Sequence, residues 1–202
     1  MGLRLGSNVC VPHACVCGTP VDACGTHAFV CKRAPGRIAR HQALKDLITR
    51  TFASAGVPVT NEPVGLASQD GKRLNGLTLI PWQRGKPLTW DVTVAHTLAD
   101  SYMSATAHSG GAAPEQEAGR KTAKYDLLVQ TGRLFQPIAA EALGPLNQSS
   151  IAFFSELVRK IGSISGDNRE PSFLFQRISI PIQRCISILL HNNRNSFSSD
   201  EE

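Results

Sequence analysis

The sequence predicts an α+β domain, a strand meander and one further strand covered by helices, and three observations carry that prediction. Residues 37–55 place Leu44, Leu47, Ile48, Thr51 and Phe52 at helical spacing, and Gly56 followed by Pro58 stops the run. Between residues 57 and 95 the apolar runs are short and are punctuated by Gly65, Gly71-Lys72, Gly76 and Gly85-Lys86, as in successive hairpins. Beyond Gly144-Pro145 come two longer stretches with helical periodicity, which can cover a sheet. With 202 residues and 42% hydrophobic content the chain can bury one sizeable core.

Taken in order, the first segment, residues 10–36, carries scattered Gly, Pro and Thr without sustained periodicity and needs an external staple to hold a shape. The helix over 37–55 opens the main domain, residues 37–191. Strands are predicted at 57–63, 77–82 and 88–95, then a loop over 101–113, rich in Ser and Gly. A helix over 114–130 has Pro114 near its start and Glu115 and Glu117 in its first turn. A fourth strand is expected within 133–143. Helices over 149–163, with Ile151, Phe154, Leu157, Val158 and Ile161 on one face, and over 171–191 complete the order. Residues 192–202, polar and acidic at the tip, are predicted to be a disordered tail.

The net charge is +5, but the basic residues are unevenly spread. Lys32, Arg33, Arg37, Arg40, Lys45 and Arg50 fall within nineteen residues whose only acid is Asp46. Such a field favours a polyanion such as nucleic acid; a solvated basic helix face is the plainer reading. Arg4, Ser7 and Asn8 interrupt any signal-peptide core, and no run approaches the ~18 apolar residues of a membrane span. A soluble, intracellular protein without a membrane partner is expected.

Five of the six cysteines lie in the first thirty-one residues, with His13 and His27 among them. Without a secretory signal this clustering points to metal before disulfides. Cys15, Cys17, His27 and Cys31 form two pairs of thiolate and imidazole ligands, a set that closes a tetrahedral structural zinc site. Cys10, His13 and Cys24 can substitute in that set, and metal-free thiols are the alternative.

The second constellation centres on Asp91, an acid within a strand of Trp, Val and Thr, where burial is costly unless a cation or hydrogen-bond partner meets it. A metal ion is one candidate partner and a plain salt bridge the other. Asn75, opening the neighbouring strand, with Glu62, Asp46 and Lys124, are the groups that can join Asp91 in a Mg2+-dependent phosphodiesterase site. Asn75 ligates through a neutral carbonyl oxygen and binds Mg2+ more weakly than a carboxylate. Trp82 and Trp90 are read as core residues, His41 as a phosphate contact or a local hydrogen bond, and Cys185 as a small buried apolar group.

Seven motifs occur in series: Cys15-x-Cys17-Gly18, His27-x3-Cys31-Lys32, Gly36-Arg37-x2-Arg40-His41, Glu62-Pro63-x-Gly65-Leu66, Asp70-Gly71-Lys72-Arg73, Trp90-Asp91-Val92-Thr93 and Lys121-x2-Lys124-Tyr125. Together they resemble the C-terminal region of reverse-transcriptase polyproteins from animal non-LTR retrotransposons, over roughly residues 15–191. That resemblance implies a zinc motif joined to a restriction-endonuclease-like core of the PD-(D/E)XK class, ordered helix, three-strand meander, helix, strand. It implies Mg2+-dependent nicking of target DNA in the nucleus to prime reverse transcription. Asp91 becomes a Mg2+ ligand, Leu74-Asn75 stands where the family has Pro-Asp, and Lys124 or Lys121 supplies the lysine, since Thr93 occupies its usual strand position. Lys32, Arg33, Arg37, Arg40, His41, Lys72 and Arg73 are then the nucleic-acid contacts. Because Asn75 removes one ligand charge, a catalytically dead nucleic-acid-binding module or an interaction scaffold from a decayed element are the alternatives.

Overall fold

A computed structural model of the chain describes residues 7–34, 36–66, 71–97, 99–142, 144–167 and 169–191. In chain order the elements are β1 (His13–Ala14), β2 (Pro20–Val21), α1 (Thr26–Val30), α2 (Gly36–Ser54), β3 (Val59–Asn61), β4 (Gly76–Thr78), β5 (Leu88–Ala95), α3 (Asp100–His108), α4 (Ala112–Lys124), α5 (Asp126–Gln130), β6 (Leu134–Glu141), α6 (Gln148–Ser165) and α7 (Glu170–His191). β1 and β2 form a small hairpin, and β3-β4-β5-β6 form a mixed four-stranded sheet. The first three of its strands run antiparallel, and β6 joins β5 in parallel, Leu88 opposite Leu134 through Ala95 opposite Glu141. A parallel partner needs a crossover, supplied here by α3, α4 and α5. The α+β class and the order of the main strands agree with the sequence reading.

α2 buries Leu44, Leu47, Ile48 and Phe52 and ends where Gly56 adopts φ 67°, with the Val57 N–H returning to the Phe52 carbonyl at 3.0 Å. The face of the sheet bearing Trp90, Val92 and Ile138 meets α2, α6 and α7 in one large core. Phe52 lies at the centre of it, 6.1 Å from Trp90, 5.8 Å from Trp82 and 5.7 Å from Phe153 between ring centroids. Both tryptophans are thus packing residues, and Cys185 is buried, as read from the sequence. Trp90 lies over Gly76, where any Cβ would fall inside the indole. The opposite face carries α4 and a smaller cluster of Ala95, Tyr102 and Ala113.

Three element expectations need correction. The loop predicted over 101–113 is mostly α3; its Ser, Ala and Thr side chains give no apolar stripe, and only Tyr102 anchors it by burial. The predicted helix 114–130 divides at Tyr125, whose backbone turns (φ −106°, ψ 16°) so that the ring is buried 4.9 Å from Phe135. The strand predicted to reach Trp82 stops at Thr78, leaving Leu79 and Ile80 exposed before a turn closed by the Trp82 N–H and the Lys86 carbonyl at 2.8 Å. The tail expected to be disordered, 192–202, lies outside the described residues, as does Asp70. Among the described residues, no helix is long and apolar enough to cross a membrane.

Candidate functional site

The short N-terminal hairpin and α1 bring two chain segments together. Cys15 and Cys17 lie in the turn between β1 and β2, while His27 and Cys31 lie on and just after α1. Their ligand atoms all fall within 4.8 Å of one another, with Cys15 Sγ 3.5 Å from Cys31 Sγ and Cys17 Sγ 3.0 Å from His27 Nε2. A tetrahedral zinc with its usual bond lengths needs ligand–ligand edges of ~3.6–3.8 Å, so the four residues fit such an ion. The Thr19 hydroxyl, 3.3 Å from Cys17 Sγ, holds that thiol down to about 6, whereas burial pushes Cys15 up to about 11. A cation among them is what would keep all the thiols ionised. The substitute ligands lie outside this cluster: Cys10 Sγ donates to the Asp22 carbonyl at 3.2 Å, and His13 Nδ1 lies 2.8 Å from the Val11 carbonyl. Cys24 is not part of the cluster. All six cysteines are free of disulfides.

At the sheet, register assembles the second constellation. Asn61 pairs with Gly76 and Gly76 with Trp90, so the next residues on each strand, Glu62, Asn75 and Asp91, stand in one row across β3, β4 and β5. Main-chain bonds continue the row: the Glu62 N–H donates to the Asn75 carbonyl and the Asn75 N–H to the Trp90 carbonyl, both at 3.1 Å. The β4–β5 ladder ends at Gly76 opposite Trp90, and Asn75 stands beside the Asp91–Val92 peptide, while the Asp91 side chain lies under α4. There Lys121 of α4 pairs with Asp91 Oδ2, the carboxylate being 4% exposed.

Beyond Trp90, β5 outruns β4 and its edge would be bare. Two side chains close it at Val92. Asn75 Oδ1 accepts the Val92 N–H at 2.6 Å, and His41 Nε2, 3.2 Å from the Val92 carbonyl, must carry the proton and donate it. His41 therefore makes the local hydrogen bond that was one of its two expected roles. Glu62 leaves the extended conformation (φ 49°) and accepts from Lys45 of α2 at 2.6 Å. That hydrogen bond and charge hold the Glu62 carboxyl below the usual range, with smaller contributions from Arg73 and His41.

Of the proposed site residues, Glu62, Asn75 and Asp91 are thus brought together. Asp46 is not: it lies exposed on α2, accepting from Gln42 at 2.8 Å beside α7. Lys121, one of the two lysines considered, meets Asp91, while the Lys124 ammonium sits 5.4 Å from the Tyr125 ring centre. Lys45 was missed as a site residue. Its signal was an ammonium set within the apolar stripe of Leu44, Leu47 and Ile48, where only an acidic neighbour justifies it.

The basic cluster divides. Lys32, Arg33, Lys72 and Arg73 are exposed and Arg37 is half-buried, so all five can reach a polyanion. Arg40 cannot: it is 3% exposed, and burial with the nearby Arg37 charge lowers its guanidinium to about 10. Beside it His96 is buried, its ring 5.4 Å from that of Phe29, and burial followed by the Arg40 and Arg37 charges pushes it down to about 3. His96 is therefore neutral in the folded protein, while in the unfolded chain it protonates near pH ~6.5. Stability is expected to fall as pH drops below ~6.5, by about 1.4 kcal/mol per unit from this group, continuing to its folded value. Urea unfolding at pH 7 and pH 5 checks this, with a His96→Asn protein losing less over the same interval.

No family model matches the chain, and no curated protein matches it.

Proposed function

We propose that this chain is a nucleic-acid-binding, endonuclease-like domain derived from a retrotransposon polyprotein and acting in the nucleus. In this reading the sheet and α4 form a restriction-endonuclease-like core, and Cys15, Cys17, His27 and Cys31 hold a structural zinc. The observation that carries the reading is the row Glu62–Asn75–Asp91 with Lys121 above its buried acid. Asp91 and residue 75 are the groups that would hold Mg2+, which when bound supplies a polarised water and charge neutralisation at a phosphodiester. Lys121, released from Asp91, would orient the nucleophile and balance charge on the phosphate. Lys45 keeps Glu62 ionised at the end of the row, and the exposed Lys72 and Arg73 would hold the flanking phosphates.

In this reading the same row leaves cleavage impaired. Two carboxylates face two ammonium groups, Lys45 and Lys121, and Asn75 adds no charge, so the row offers no net negative field to a divalent cation. Asn75→Asp supplies that charge while keeping an oxygen for the Val92 N–H. Supercoiled plasmid incubated with Mg2+ or Mn2+ is expected to be nicked at least tenfold faster by the Asn75→Asp protein than by the native one. Equal inactivity of both would count against the catalytic reading.

A second reading, binding without cleavage, is favoured by the Asp91–Lys121 pair itself, which leaves the acid already neutralised. Binding to duplex DNA should then weaken steeply with added salt, since phosphate contacts release counterions. A protein with no salt-sensitive affinity would instead be an interaction scaffold.

A further inference from the structure

Arg40 of α2 is buried, and its Nε and Nη1 have no hydrogen-bond acceptor. Among the described residues it is in no ion pair. A guanidinium lowered to about 10 is still charged at neutral pH, so the group cannot escape the cost of burial by losing its proton. A buried charge in this position calls for a counter-charge.

The groups acting on Arg40 supply none. From α7 comes Cys185, whose thiol burial pushes up against the weaker pull of Arg40 and Arg184, so that it stays neutral. From the end of β5 comes His96, which burial and the two arginines keep neutral. The other charge acting on Arg40 is a second cation, Arg37, half-buried and three residues earlier on the same side of α2. Arg37 Nη1 reaches the Val30 and Cys31 carbonyls only at 3.5 Å, which leaves its remaining donors for another acceptor. The first turn of α2 contains no acid, and the helix dipole adds positive potential at the same end.

A planar guanidinium fork meets two oxygens of one anion, a match that a spherical halide lacks. We propose that Arg40 and Arg37, at the amino end of α2, bind one small oxyanion of the phosphate class, which neutralises the buried charge between α2, α7 and the end of β5. Arg40 supplies the enclosed donor, and the half-buried Arg37 supplies the side that faces solvent. The site uses none of the residues of the row Glu62–Asn75–Asp91. Burial of Arg40 suits inorganic phosphate or the terminal phosphate of a chain, and it excludes a phosphodiester within a duplex.

The test compares the full chain, dialysed free of phosphate, in sodium phosphate and in sodium chloride of equal ionic strength. Phosphate well above its dissociation constant is expected to raise the thermal midpoint by roughly 4 °C or more. Arg40→Met keeps the reach of the side chain and removes its charge, so in chloride it should be at least as stable as the native protein and should lose the phosphate-specific gain. General salt effects of phosphate act on both proteins and cancel in the comparison. Isothermal titration of phosphate into Arg37→Gln, a half-buried position, should show binding weakened by about fivefold or more. A single-stranded oligonucleotide with a 5′-phosphate distinguishes the source: preference for it over its 5′-hydroxyl counterpart, lost in Arg40→Met, gives the site to a terminal phosphate, and equal binding gives it to the free anion. Marked destabilisation of Arg40→Met in chloride, equal gains of both proteins in phosphate, or an unchanged titration of Arg37→Gln would overturn the proposal.

Discussion

Removing the proposed zinc with a strong chelator is expected to melt the Cys/His segment and to lower the thermal midpoint of the whole domain. β1 and β2 contribute two residues each and α1 only five, lengths that have no independent stability in water. Yet Val21, Ala28 and Phe29 are buried in the same core as α2 and α7. A structural zinc contributes about 10 kcal/mol or more of apparent folding energy to such a segment. Cys31→Ser takes a buried ligand from the set and should release the metal, lowering the midpoint by roughly 2–4 °C for each kcal/mol lost in a chain of this size. Cys10→Ser, outside the four-residue set, should leave metal content unchanged and shift stability much less. Metal analysis with differential scanning calorimetry decides the matter. Retention of metal by Cys31→Ser with loss in Cys10→Ser would require a different ligand set.

Replacing Lys121 with Met is expected to cost about 3–5 kcal/mol in denaturant unfolding, because it strands the buried Asp91 carboxylate without a counter-charge. The double replacement Lys121→Met with Asp91→Asn should recover most of that loss, since the penalty lies in the orphaned charge. Lys124→Met removes a half-exposed ammonium near the Tyr125 ring and should cost less than ~1 kcal/mol. Equal losses from the two lysines would break the assignment of Lys121 to the buried acid. The same series separates structure from catalysis, because a stabilising pair and a nucleophile-orienting group respond differently when nicking is measured in the Asn75→Asp background.

Local physics explains which parts of this architecture could be read from the chain. β5 was legible to the residue because β-branched and aromatic side chains fill 88–95 between turn residues. β4 was overextended because Leu79 and Ile80 look like strand residues, and only the pairing with β3 and β5 shows that the ladder ends at Thr78. α3 was illegible because small polar side chains carry no periodic signal. At the site, the burial cost of a charge singled out Asp91 without any coordinates. Choosing between Lys121 and Lys124 needed the phase of α4, which residues three apart, one turn along the axis, do not reveal alone. The fate of Arg40 depended on the packing of α2 against α7 and the end of β5, a contact among segments far apart in sequence.

The amide at position 75 also has an evolutionary consequence. The Val92 N–H requires an oxygen at that distance, and a carboxamide and a carboxylate of the same length meet the requirement equally. The exchange is not neutral for folding, however, because a carboxylate at this largely buried position would stand beside the Asp91 carboxylate, a cost the amide avoids. Under the proposed function, a copy that exchanged the acid for the amide would lose cleavage while relieving that repulsion, and could persist as a stable, well-packed protein kept for whatever else its surface does.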